Sequence, residues 1–170
     1  MKHVVLAAIL TIAMAACSPK AVNSSDAPTE GAQTAVVEYS ATGWMARTLP
    51  EILAALEAEE VTSEALVRGY LDRIETIDQA GPTLQAVLAL NPNALDEARS
   101  SDAARKAGQP MGPLAGVPVL LKDNIESKDQ IATTAGALAL KDNVTGRDSP
   151  LVAGLRGSGA IILGKTNLSQ

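Results

Sequence analysis

Two unbroken apolar runs constrain this chain more than any other feature. Residues 117–121 read Val-Pro-Val-Leu-Leu and residues 160–163 read Ala-Ile-Ile-Leu, without the polar alternation of a strand wet on one side. Runs of this length suit strands covered on both faces. Between them Ser149-Pro150 marks a helix start, Leu151, Val152 and Leu155 share a face, and Gly157 and Gly159 end the helix. Strand, helix and strand in that order predict a parallel βαβ unit with a right-handed crossover. Hydrophobic residues make up 46% of the 170, but aromatic ones only 2%, with no Phe. The core must then be packed from Leu, Ile, Val and Ala, which favours α/β layers over an aromatic-rich β fold. The expected class is α/β, with helices packed on a mixed, mostly parallel sheet.

Upstream of that unit the pattern is largely helical. Thr48-Leu49-Pro50-Glu51 has the spacing of a capping box and predicts a helix to about Glu59. Thr62 or Ser63 caps a second helix. Its Leu66, Val67, Tyr70, Leu71, Ile74 and Ile77 form one stripe before Gly81-Pro82 breaks it. Leu84, Ala86, Leu88 and Leu90 alternate with Gln85, Val87 and Ala89 as in a short strand. Asn91-Pro92 then fits an N-cap followed by proline at the first helical position. That helix should run through Ala94, Leu95 and Ala98 towards Gly108.

The first residues carry a different signal. Lys2 and His3 precede the uncharged, mostly apolar stretch 4–16, which ends in Ala15 and Ala16. That is the order of a secretory signal peptide, and it is shorter than the roughly 20 residues a membrane-spanning helix needs. Cys17, the chain's one cysteine, follows Met14-Ala15-Ala16 directly. The arrangement resembles a bacterial lipoprotein signal, in which the cysteine is lipidated and becomes the mature N-terminus; Met14 stands where Leu is more usual. The competing reading is an ordinary cleaved signal followed by an incidental thiol. Residues 17–46 are rich in Ser, Thr, Ala, Asn and Pro and read as a flexible tether, with order starting near Thr48. The implied setting is a bacterial cell envelope or periplasm, with the exported chain held to the membrane through its N-terminal lipid. The formal charge of −5 and the scarcity of aromatics argue against a nucleic-acid partner. A lone cysteine leaves no internal disulfide, and no metal-ligand spacing occurs.

Lys122 ends the first apolar run and precedes Asp123-Asn124. Ligands of parallel α/β sheets collect outside the carboxyl ends of strands. A lysine leaving five apolar residues there is a candidate for partial desolvation, which favours the neutral amine and hence a general base. On that ground alone a solvated surface charge is the commoner case. Gly159 to Thr166 has the letters of a P-loop, but the residues between its glycines are strand formers, whereas a phosphate cradle needs a turn after the strand. Nucleotide binding is therefore a weak alternative, and Lys165 is expected to matter little to the chemistry. A Ser-His-Asp hydrolase fails for want of a histidine, because His3 lies in the leader.

The segment Gly112-Pro113-Leu114-Ala115-Gly116-Val117-Pro118-Val119-Leu120-Leu121-Lys122-Asp123-Asn124-Ile125 closely resembles the catalytic-lysine segment of the amidase-signature family. Thr133-Thr134-Ala135-Gly136, Asp148-Ser149-Pro150-Leu151-Val152 and residues 155–167 follow in that family's order, and residues 62–67, 72–74 and 91–95 match upstream. The resemblance covers residues 47–170; Ala137 stands where Ser is common and Ser158 where Ala is common. It implies a hydrolase of carboxamide C–N bonds that works through a Ser-Ser-Lys triad and an acyl-enzyme, without cofactor or metal, on a small-molecule or peptide amide. Lys122 is the position that matches the triad lysine. Asp123, Asn124, Thr133, Thr134 and Gly136 are near-site candidates, with Thr133 and Thr134 read either as neighbours of the nucleophile loop or as an ordinary strand-to-loop turn. Ser127, Ser149, Ser158 and Ser169 do not stand in the serine motif, and both triad serines are expected beyond residue 170. Residues 47–170 then read as the N-terminal part of an amidase domain, truncated before the catalytic serine loop and inactive alone. The alternative is a lipid-anchored, non-catalytic binding or scaffold domain.

If Cys17 carries lipid, the protein incorporates an alkyne fatty acid and partitions into detergent, and Cys17→Ala abolishes both. Equal partitioning of the two proteins contradicts lipidation.

Overall fold

A computed structural model describes residues 43–168. The leader 1–16, Cys17 and the tether as far as residue 42 lie outside the described residues. Order is already present before the expected start at Thr48: a short 3-10 helix, Gly43–Ala46, sets Trp44 against the core. The last residues assigned to the tether are therefore part of the folded body.

Helix α1 (Leu49–Glu57) opens where the capping box places it. The Glu51 carboxylate accepts from the Thr48 backbone N–H at 2.7 Å and from the Thr48 hydroxyl at 2.8 Å. Helix α2 (Ser63–Arg73) is capped by Thr62, whose hydroxyl accepts from the Ala65 N–H at 3.1 Å. A second cap comes from far along the chain: the Asp102 carboxylate accepts from the Ser63 and Glu64 N–H groups at 2.7 and 3.0 Å. Negative charge at unpaired amides of a helix N-terminus satisfies both the hydrogen bonds and the helix dipole. The helix passes into a π turn, Ile74–Gln79, ahead of the expected break.

Strand β1 (Val87–Leu90) is shorter than the alternation suggests and has the opposite phase. Val87 is buried, whereas Leu84, Leu88 and Leu90 are exposed. Asp78, buried in the π turn, supplies the reason: its carboxylate accepts from the Ala86 and Val87 N–H groups at 2.7 and 3.2 Å. That grip fastens the strand's first residues to the helix end and turns Val87 inward. The next helix start also differs from expectation. Asn91 stays in the sheet, its N–H on the Leu163 carbonyl at 2.9 Å and its side-chain amide on the Ile162 carbonyl at 2.8 Å. Helix α3 (Ala94–Lys106) therefore begins only after Asn93.

Strand β2 (Pro118–Lys122) runs parallel to β3 (Ile161–Thr166), and α4 (Pro150–Gly157) lies between them in the chain, as predicted. The sheet order is β1–β3–β2, and β1 pairs antiparallel with β3. The sheet is mixed, as expected, with one parallel and one antiparallel pairing among the described residues. Ile161 and Leu163 of β3 pack with Val67 of α2 and with Ala94 and Ala98 of α3. Ile162 packs with Leu121 and with Val152 of α4. Helices on both faces explain why the run lacks polar alternation, and each fully buried Ile, Leu or Val there contributes roughly 1.5–3 kcal/mol. Leu151, expected on the packed face of α4, is exposed; Val152 and Leu155 do the packing. A further cluster joins Ile52, Ala55 and Leu56 of α1 to Leu66 and Val117.

The central strand has no room for a side chain at Gly164, where a Cβ would lie 2.2 Å from the Ala89 carbonyl oxygen. Gly164→Ala should push β1 and β3 apart and destabilise the protein by about 1–3 kcal/mol or more, read as a lower urea midpoint. Gly154→Ala, where a Cβ meets nothing within 4 Å, should be neutral or mildly stabilising in helix α4. Equal midpoints for the two variants contradict the pairing.

Candidate active site

Lys122 is the last residue of β2, at the carboxyl end of the parallel pair and opposite Thr166 of β3. Its side chain is half-buried. The chain turns directly after it, and the Ile125 N–H donates to the Lys122 carbonyl at 2.9 Å. Asp123, inside that turn, is only 1% exposed. Its N–H donates to the Thr166 carbonyl at 2.9 Å, which prolongs the ladder. Its carboxylate accepts from the Thr134 N–H at 3.1 Å and, in a short contact, from the Thr134 hydroxyl. The Ala135 N–H donates to the Asp123 carbonyl and the Gly136 N–H to the Thr134 hydroxyl, both at 3.1 Å. Ala135 and Gly136 have φ of +49° and +72°. Two successive left-handed residues curl the backbone round the carboxylate, a conformation that costs an alanine energy unless such bonds hold it.

The structure thus gathers Asp123, Thr134 and Gly136 into one clamp beside Lys122. Asn124 is exposed. Thr133 serves another group: its hydroxyl is buried and accepts from the Lys165 ammonium nitrogen Nζ at 2.8 Å. Its backbone is held by Asn143, whose carbonyl accepts from the Thr133 N–H and whose side-chain amide donates to the Thr133 carbonyl, each at 3.0 Å. Three of the serines weighed from the sequence lie among the described residues. Ser127 is fully buried, Ser149 caps α4 through the Val152 N–H at 3.4 Å, and Ser158 closes that helix.

Lys165 is the residue that sequence patterns undervalue. It is fully buried and donates to the Ile125 carbonyl as well as to Thr133. Burial pushes its amine below the ordinary lysine value, against the opposing pull of Asp123, Asp129 and Glu126. A P-loop lysine reaches outward to a phosphate. This one is spent inside the protein, and residues 161–166 are strand, so no phosphate cradle forms there. A second group had no sequence signal, because its members are far apart in the chain. Arg156 of α4 meets Asp129 at 2.5 Å, Asp148 at 3.1 Å and Glu97 at 3.5 Å, and so pins the loop after β2 against α4 and α3. Burial raises the pKa of Glu97, opposed by Asn91 and Arg156. Among the described residues no group of His, Cys, Asp and Glu side chains could hold a metal ion, and no helix is long and apolar enough to cross a membrane.

Lys122 thus ends a parallel strand, beside a turn held by the Asp123–Thr134 clamp. Known proteins share this scaffold. Residues 65–170 match the family model described as Amidase, and the chain belongs to the amidase family, the amidase-signature enzymes. It is 45% identical over 125 residues to a probable amidase of Arabidopsis thaliana, covering 72% of this chain and 24% of that protein. It is 39% identical over 125 residues to a glutamyl-tRNA(Gln) amidotransferase subunit of Acidothermus cellulolyticus, covering 73% and 24%. Among solved structures, the native peptide amidase of Stenotrophomonas maltophilia superposes with a TM-score of 0.66 at 48% identity, covering 69% of this chain and 24% of that one. The chain therefore spans about a quarter of the length of the relatives it matches.

Proposed function

We propose that this chain supplies the general base and part of the scaffold of an amidase that hydrolyses carboxamide C–N bonds through an acyl-enzyme. Lys122 is the terminal proton acceptor. A serine attacks the amide carbonyl, a second serine relays its proton, and the Lys122 amine receives it; backbone amides beside the nucleophile hold the oxyanion. In this reading both serines belong to the part of the amidase domain outside these 170 residues, and the chain by itself is inactive. The observation that carries the proposal is the place of Lys122: half-buried, at the carboxyl end of β2, with the Asp123–Thr134 clamp fixing the turn behind it. Asp123, Thr134 and Gly136 act by shaping that turn.

The likeness to a peptide amidase supports a small-molecule or peptide carboxamide as substrate. The leader and Cys17 support an exported, lipid-anchored protein of the bacterial envelope. That setting speaks against a role in a tRNA-dependent amidotransferase, since export would separate the protein from charged tRNA. The chemistry calls for no cofactor or metal.

In the full-length polypeptide that contains this chain, Lys122→Ala should lower kcat/KM on a simple carboxamide by about 10²–10⁴-fold, the usual share of a general base. Lys122→Arg should fail as well, because a guanidinium keeps its proton at any usable pH. Near-wild-type turnover by either variant contradicts the assignment.

A further inference from the structure

Lys165 is a cation at a dry place in the sheet, and the reaction proposed above does not use it. Its side chain is 0% exposed, on the central strand opposite Leu121 of β2 and Ala89 of β1. A core needs no lysine there. Met would fill a similar volume without the cost of desolvating an amine, a cost visible in this amine's weakened hold on its proton. What Lys165 offers and Met lacks is hydrogen-bond donors, and both of its hydrogen bonds lead to the segment that leaves the Lys122 strand. One goes to the carbonyl of Ile125, whose own N–H holds the Lys122 carbonyl at 2.9 Å. The other goes to the Thr133 hydroxyl at 2.8 Å, next to the Thr134 that holds the Asp123 carboxylate. Residues 122–125 and 133–134 are thus drawn onto one nitrogen.

The charged groups around it have other partners. Asp123 is bonded to Thr134, Asp129 to Arg156 at 2.5 Å, and Glu126 to Arg147 at 2.8 Å. The hydrogen bonds of Lys165 itself go to neutral oxygens, as in a tether rather than an ion pair.

We infer that Lys165 is a positioning residue that fixes the turn beginning at Lys122, and with it the direction in which the Lys122 side chain leaves the sheet. The inference rests on Lys122 being the base of amide hydrolysis. Because Lys165 touches the turn and not the substrate, its loss should fall on kcat and spare KM.

The test uses the full-length polypeptide with Lys122→Met, Lys165→Met and Thr133→Val, each checked for folding by thermal melting. Lys165→Met should lower kcat about 10²-fold, the order that a displacement of about 1 Å costs, with KM changed by no more than about twofold. Thr133→Val keeps the lysine and removes one acceptor, and should lower kcat about tenfold, the equivalent of one hydrogen bond. If Lys165→Met does not fold, Thr133→Val decides alone on the same terms. Wild-type kcat in a folded variant, or a loss confined to KM, beside an inactive Lys122→Met overturns the positioning role and leaves the functional reading standing. Full activity of Lys122→Met overturns the functional reading and the positioning role together.

Discussion

The pairs Pro118–Ile161 and Lys122–Thr166 are the two ends of one parallel ladder, and the other elements are arranged by what that ladder needs covered. Parallel strands are found almost only where both faces of the sheet are covered. Here α2 and α3 cover one face of β3 and α4 the other, through Ile161 and Leu163 on one side and Ile162 on the other. The register also brings two lysines to the same end of the sheet, Lys122 on β2 and Lys165 on β3. Their fates differ because of the loop above them. It folds over Lys165, which is wholly buried, and leaves Lys122 half-buried at the strand end.

With so few aromatic side chains, the loops have little apolar surface with which to anchor themselves, and buried or partly buried charges take over that work. Asp78 fastens the approach to β1, Asp102 the start of α2, Asp123 the turn after β2, and Arg156 the long loop that precedes α4. Each charge carries a desolvation cost that is tolerable only where several hydrogen bonds offset it. Asp123 has both the N–H and the hydroxyl of Thr134, and Arg156 meets three carboxylates. The same device gives the candidate site its rigidity: the turn after Lys122 is bonded on one side by Asp123 and on the other by Lys165.

What the sequence revealed and what it hid divide along contact distance. The capping box at Thr48, the Ser149-Pro150 helix start and the two apolar runs are local, and each lies where the pattern puts it. The phase of β1 is not set locally: Asp78, back in the preceding helical segment, decides which residue turns inward. Asn91 keeps one local bond of a cap, its Oδ1 accepting from the Asn93 N–H at 3.0 Å, but its bonds to β3 are invisible in the local letters. The place of Lys122 was legible, since it follows directly on its strand. The burial of Lys165 was not, because it depends on Ile125 and Thr133, which only the folded loop brings to it.

The central claim is that this chain carries the base and the scaffold of an amidase but not its nucleophile. Intact-mass analysis after exposure to a fluorophosphonate tests it most directly, on the 170-residue chain and on the longer polypeptide that contains it. The account predicts an unchanged mass for the chain and a single adduct on the longer polypeptide, formed about 10²-fold or more slowly when Lys122 is replaced by Met. A stoichiometric adduct on Ser127, Ser149, Ser158 or Ser169 would place the nucleophile within this chain and contradict it.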